Sequence, residues 1–173
     1  MTEPRWLTPD QMRSWLRLQA VVELLPGVLD QQLQHDAHLT HYEYLTLAML
    51  SESEDRSLPM SALARRTNAT LPRLSHVVRR LEDRGYVRRS PAPDDGRVTV
   101  ARLTDAGWAK VVASAPGHAR TVLEHVYDRL DDEDVADFTR VLGKIVQGID
   151  PADRFGVLAA EHPAIRSDDA ARR

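Results

Sequence analysis

The stretch SALARRTNATLPRLSHVVRRLEDRGYVRRSPAPDDGRVTVAR, residues 61–102, decides the fold. Ser61 stands where a hydroxyl caps a short helix over residues 62–67, and Asn68-Ala69 ends it. Thr70 then caps a second helix over 71–84, with Pro72 in the first turn, where a missing N–H costs nothing. Leu74, Val77, Val78 and Leu81 recur at spacings of three and four and form its buried stripe, which leaves Arg73, His76, Arg79 and Arg80 mostly on other faces. Gly85 ends that helix. The period then changes from helical to alternating. Residues 86–89 and 97–103 flank the turn-rich Pro91-Ala92-Pro93-Asp94-Asp95-Gly96, which predicts a two-stranded hairpin with a basic tip.

Helix, tight turn, helix and basic hairpin together predict a winged helix-turn-helix over residues 58–103. Its charge agrees. The quoted stretch holds ten arginines against four acids, +6 in a chain whose net charge is −3, so the remainder carries −9. A basic segment in an acidic protein is what phosphate binding requires, because each neutralised phosphate releases condensed counterions. The second helix is narrow enough for the major groove of double-stranded DNA, and the hairpin places an arginine in the adjacent minor groove.

Outward from this unit the chain reads as helices. Thr8-Pro9-Asp10-Gln11 is a capping box opening a long helix to about residue 34, interrupted at Pro26-Gly27, where proline should kink or break it. Thr40 and Glu43 form a second capping box, and the polar residues 52–57 end the helix that follows. Thr104-Asp105 caps a helix through about residue 129, disturbed at Pro116-Gly117, and Asp131 to Asp134 opens a last one to about residue 148. Residues 8–57 and 104–149 are thus a helical region flanking the winged unit, and residues 150–173, polar and alanine-rich, are a loosely ordered tail. The apolar faces of the long helices exceed what a small monomer covers, so they are expected to pair two copies; a two-fold dimer implies a palindromic site with recognition helices about 34 Å apart. The overall class is mainly α with a small β-hairpin wing.

Composition excludes several chemistries. With 42% hydrophobic and 28% charged residues the chain is an ordinary globular protein, and zero cysteines remove disulfides, thiolate catalysis and thiolate metal sites. There is no apolar run of bilayer length and no secretory pattern at the N-terminus, which predicts a cytoplasmic protein that does not enter a membrane. No glycine-rich phosphate loop, zinc-protease helix or serine elbow is present, so no enzyme and no cofactor is expected.

Met60 to Arg66, the helix from Leu74 to Val87, Asp95-Gly96-Arg97 and Leu103-Thr104-Asp105-Ala106-Gly107 resemble, in order and spacing, the MarR family of bacterial transcriptional regulators, and the likeness extends over about residues 8–149. The resemblance implies that the outer helices build an obligate dimer, that Asp95 pairs with arginine and orients the wing, and that Arg97 contacts DNA. Candidate DNA contacts are Ser61, Thr70, Pro72, Arg73, Ser75, His76 and Arg79 in the helices and Arg88, Asp95, Gly96 and Arg97 in the wing. The family often has a small polar residue where Arg73 stands, arginine at His76 and an acid at Arg79, so the operator cannot be borrowed; Arg73 is assigned to a base and Arg79 to phosphate.

The resemblance also implies repression and release by a small, often aromatic or phenolic, effector bound between the dimer helices and the winged unit. Trp15, His38, His41 and Tyr44 are the polar-tipped aromatics nearest that region by likeness; the other reading makes Trp15 and Tyr44 core and the histidines surface. A metal-responsive regulator is a weaker alternative: Thr40 breaks helical continuity before His41, and His118 and His125 lie about 10.5 Å apart along a helix, so no metal ligand is assigned. A winged module that binds protein through its basic face is the remaining alternative, separated from DNA binding by salt dependence.

Overall fold

A computed structural model describes residues 4–158. Helix α1 (Pro9–Ala37) opens on the Thr8 capping box and closes at His38, which adopts the left-handed conformation. Pro26 does not break it. The carbonyl of Val22 that Pro26 leaves unpaired lies on an exposed face, where water can satisfy it, while Leu29, Leu33 and Ala37 anchor the following turns in the core. Helix α2 (His41–Ser51) opens on the reciprocal Thr40–Glu43 capping box.

Strand β1 (Ser57–Pro59) follows a short 3₁₀ turn (Glu54–Arg56), and it makes the sheet three-stranded rather than a two-stranded hairpin. Its three residues are too few to show alternation, and one is a proline, so only pairing with a longer strand reveals it. Helix α3 (Met60–Arg66) begins one residue before Ser61, with Pro59 in the capping position, so Ser61 lies inside the first turn and caps nothing. Helix α4 (Leu71–Asp83) has Thr70 at its N-cap and Pro72 in its first turn as expected, but the Thr70 hydroxyl makes no capping bond. Strands β2 (Val87–Pro91) and β3 (Thr99–Leu103) form the wing, antiparallel, with sheet order β1-β3-β2.

Helix α5 (Asp105–Val122) passes through Pro116 unbroken; its irregularity comes later, in a wide π-type turn over Leu123–Tyr127 closed by Asp128 N–H to Leu123 C=O at 2.9 Å. Helix α6 (Asp132–Ile149) opens on an Asp131–Asp134 capping box. The predicted loose tail is partly shaped: Asp150 accepts from Arg154 Nε at 2.8 Å and from Phe155 N–H at 2.9 Å, and Asp153 accepts from Val157 N–H at 2.8 Å. Residues 159–173 of that tail lie outside the described residues.

The core joins the end of α1 and all of α2 to the winged unit. Leu33, Leu39, Leu47, Leu50, Leu63, Leu74, Val78, Leu81 and Val111 are fully buried, and burial of each such side chain stabilises by about 1.5–3 kcal/mol. Leu74, Val77, Val78 and Leu81 face this core, which fixes the opposite face of α4 outward. Much of α1 and α6 lies outside the core: Trp15, Leu16, Val21, Val22 and Leu24 on one, Phe138, Val141, Ile145 and Ile149 on the other, are exposed apolar side chains. Among the described residues no helix is long and apolar enough to cross a membrane.

Candidate nucleic-acid interface

Burial of the α4 stripe leaves Pro72, Arg73, His76 and Arg79 exposed on one side and Ser75 half-buried beside them. Arg73 is not a free whip: its guanidinium lies 4.7 Å above the Tyr42 ring, and Tyr42 is pinned by its hydroxyl donating to Thr67 Oγ1 at 2.9 Å. A cation stacked on an aromatic face keeps its edge donors available to a third group. Arg79 donates to His76 Nδ1 at 2.9 Å. Because arginine can only donate, that nitrogen is the unprotonated one, and His76 offers its other nitrogen outward. Ser61 and Thr70 are exposed on α3 and at the head of α4.

The wing is set by one aspartate. Asp95 Oδ1 accepts both the backbone N–H and the Nε of Arg97 at 3.0 Å, and Oδ2 accepts Nη2 at 3.3 Å. These bonds from Arg97, side chain first and backbone second, hold the Asp95 carboxyl below the usual carboxylate range. Arg97 remains 92% exposed, so the fork aims the guanidinium without consuming it. Gly96 and Arg88 are exposed as well. The expected aspartate–arginine pair is therefore present in the wing.

Several arginines of the basic stretch have internal partners. Glu43, 5% exposed on α2, meets Arg80 Nη2 at 3.1 Å and Arg84 Nη1 at 3.7 Å, which ties α4 to the core helix. Glu82 takes the backbone N–H of Arg89 at 2.9 Å and its guanidinium at 2.7 Å, locking β2 to α4; the backbone bond first and the side-chain bond second hold the Glu82 carboxyl low. Arg66 reaches Glu52 at 3.5 Å. Nothing in the sequence marks these pairs, since their partners belong to different elements and no periodicity relates them.

The candidate effector residues do not converge. Tyr44 is buried in the core, His41 is half-buried and His38 is exposed at the end of α1, while Trp15 is 50% exposed and lies 23 positions before His38, about 34 Å along one straight helix. His118, which sequence reasoning weighed only as a metal ligand, joins two of them, His41 and Tyr44: its ring stacks 6.1 Å from His41 and lies 4.7 Å from Tyr44. Burial lowers the pKa of both histidines, and in His118 the neighbouring His41 lowers it further; burial and then the Glu52 charge push the Tyr44 hydroxyl up to about 12. His118 Nδ1 is buried without a protein partner. Among the described residues no three His, Cys, Asp or Glu side chains converge to hold a metal.

Comparison with known proteins agrees with this geometry. The MarR family profile matches residues 39–99. The HTH-type transcriptional regulator YdcH of Bacillus subtilis is 33% identical over 82 residues, 45% of this chain and 54% of its own, so the chain spans about half of that relative. The HTH-type transcriptional repressor Rv2887 of Mycobacterium tuberculosis is 35% identical over 107 residues, 62% of this chain and 75% of that protein. Sco3205 of Streptomyces coelicolor, a MarR family transcriptional regulator whose crystal structure is in complex with DNA, is 38% identical over 96% of this chain and 100% of its own, with a TM-score of 0.82. With a winged helix-turn-helix of this build and relatives of this coverage, the chain belongs to the MarR family of DNA-binding transcriptional regulators.

Proposed function

We propose that the chain acts in the cytoplasm as a homodimeric repressor that binds a palindromic operator in double-stranded DNA and is released by a small aromatic effector. The observation that carries the DNA reading is the shared exposure of Arg73, His76 and Arg79 on α4 and of the Asp95-oriented Arg97 on the wing, three helical positions and one hairpin tip held in fixed geometry. Arg73, stacked and directed, reads a base; Arg79 takes a phosphate; Ser61, Thr70, Pro72 and Ser75 position the helix ends against the backbone; Arg97 enters the minor groove, Gly96 lets the wing tip approach closely, and Arg88 flanks it. Support for dimerisation is the set of exposed apolar residues on α1 and α6, some of which line a groove of about 750 Å³ with Val21, Leu24, Val28, Phe138 and Val141 on its walls.

Support for an effector is the contact of His41, Tyr44 and His118, an aromatic cluster with an unpartnered buried nitrogen between α2 and α5. CouR of Rhodococcus jostii, which is 20% identical and shares the fold with a TM-score of 0.65, has been solved bound to p-coumaroyl-CoA. Such a ligand would act by favouring one spacing of the two recognition helices over another.

Selection of bound duplexes from randomised DNA tests the reading. An enriched palindrome with half-sites one turn apart, weakened by Arg97→Ala, supports it. Arg73→Ala should weaken that operator more than random DNA, and Arg79→Ala should weaken both alike. No enrichment at any salt concentration would make a protein-interaction module the better reading.

A further inference from the structure

Arg88, placed above at the flank of the DNA-contacting wing, belongs as well to a second concentration of positive charge at the root of the wing, and its role there rests in part on that DNA reading. In the sheet, Val87, Arg89, Ala101 and Leu103 point toward the helices, as their burial and the Glu82–Arg89 bonds show. Period-two alternation therefore sends Arg88 and Arg102 out of the opposite face, and the register sets them directly opposite each other, with Ser57 on the far side of Arg102. Like charges paired across a ladder repel. Neither guanidinium is neutralised by the fold: among the described residues the Arg88 side chain has no hydrogen bond or ion pair, and the Arg102 guanidinium donates only to the Asp55 carbonyl, at 3.4 Å.

A third guanidinium is brought to the same place. Arg56 lies 4.1 Å over the Trp108 ring, and its turn is held in an unusual backbone, with φ of 50° at Asp55 and 51° at Arg56, a conformation that residues with side chains rarely adopt. Its nearest acid, Asp105, is 3.9 Å away on a fully exposed side chain. Arg56, Arg88 and Arg102, with Asp55, Thr104 and Asp105, line a polar cleft of about 400 Å³, within the size range of small ligand sites. Two in-register arginines and a stacked third exceed the carboxylates present by one charge.

We propose that Arg56, Arg88 and Arg102 form a phosphate-binding cleft at the root of the wing, separate from the recognition helix and the wing tip. Guanidinium forks match phosphate oxygens bidentately, and an anion between Arg88 and Arg102 turns their repulsion into shared attraction. The phosphate belongs either to the backbone of bound DNA, which would extend the footprint beyond the wing, or to a free phosphate-bearing molecule.

The full-length protein and its Arg88→Gln/Arg102→Gln double variant separate these sources, with Arg13→Gln as a charge control outside the cleft. In the first arm, affinity for duplex DNA is measured across salt concentrations. A DNA phosphate held in the cleft predicts that the slope of log affinity against log salt falls by about one unit per arginine removed, and that Arg13→Gln leaves it unchanged. In the second arm, without DNA, thermal unfolding is compared in sodium phosphate and in sodium chloride of equal ionic strength. A free-phosphate site predicts a rise of a few degrees in phosphate for the wild type beyond that of the double variant, since the general salting effect acts on both alike. The double variant should be at least as stable as wild type in chloride, which verifies that it folds. A slope and a phosphate response both unchanged by the double substitution overturn the proposal. A wild type that binds no duplex at all would count against the DNA reading, while the thermal arm still decides the cleft.

Discussion

Gly107 stands where α5 meets the corner between α4 and β2, and replacing it with alanine tests whether that corner is as rigid as its bonding implies. An added Cβ would lie 2.1 Å from the Tyr86 carbonyl oxygen, 2.7 Å from Leu103 Cδ1 and 3.0 Å from the Tyr86 carbonyl carbon, where real contacts below 3.0 Å are essentially never seen. Leu103 can rotate away. The Tyr86 carbonyl cannot, because it accepts from Thr104 N–H at 3.0 Å, while the Thr104 hydroxyl donates to Gly85 C=O at 2.6 Å and accepts from Gly107 N–H at 3.0 Å. The backbone must therefore separate by about 1 Å. Overpacking of this kind costs about 1–3 kcal/mol, occasionally more, and replacing a helical glycine by alanine returns about 1 kcal/mol. With rigid backbone on the receiving side the upper part of that range applies, which leaves a net loss of about 2 kcal/mol and a melting temperature lower by about 4–8 °C. Urea denaturation and calorimetry at one fixed protein concentration measure it, since the stability of the proposed dimer would depend on concentration. Gly27→Ala is the matched control: nothing lies within 4 Å of its added Cβ, and Gly27 shares the polar face of α1 with Glu23, Gln31 and Gln34, so it should gain up to about 1 kcal/mol. Gly107→Ala as stable as wild type, beside a stabilised Gly27→Ala, would refute the reasoning.

Arg80→Ala, which strips the nearer partner from buried Glu43, should destabilise by about 1–2 kcal/mol in urea denaturation, below the full cost of breaking a buried pair because Arg80 is itself half exposed; Arg79→Ala, its neighbour, should stay within about 0.5 kcal/mol. His41 and His118 have pKa values below the ordinary 6.5, so the unfolded chain binds protons first, and stability should be full above pH 6.5 and fall as pH drops through it, until both forms are protonated; the denaturation midpoint at pH 7.5 against pH 5.5 should show this, with part of the dependence lost in His118→Phe. The depressed carboxyl of Asp95 keeps the wing fork charged down to pH values below 3.8, so operator affinity should show no Asp95 titration between pH 5 and 8, while Asp95→Asn should weaken binding several-fold at all of them by loosening Arg97.

Local chemistry was what the sequence exposed. The capping boxes expected at Thr8 and Thr40 form, the helix expected to open at Asp131 does so with a box of its own, and the stripe Leu74, Val77, Val78 and Leu81 is buried throughout, because each depends only on residues three or four apart. What depends on distant pairing was hidden. Strand β1 exists because Leu58 meets Ala101, forty-three positions later; Pro26 and Pro116 stay inside helices because neighbours fix the turns around them; and His118 reaches Tyr44 only because α5 packs on α2. The site shows the same division: the Asp95–Arg97 fork is two residues apart and readable, whereas Tyr42 beneath Arg73 is visible only in three dimensions.

The charge of the basic stretch accordingly has two uses that the composition merges. Arg66, Arg80, Arg84 and Arg89 are spent inward on Glu52, Glu43 and Glu82: Arg66 ties α3 to the end of α2, and the other three hold α4 and β2 against the core; Arg73, Arg79, Arg88 and Arg97 are presented outward. The inward set is what gives the outward set its precision, since a recognition helix free to roll about its axis would move each exposed guanidinium by several ångströms and lose bidentate geometry. Arg79 and Arg80 state the division most sharply. They are adjacent and chemically identical, yet the 100° step between consecutive helical residues turns one to solvent and the other to the carboxylate of Glu43, so loss of the first should be read in DNA binding at intact stability, and loss of the second in stability first and in DNA binding through it.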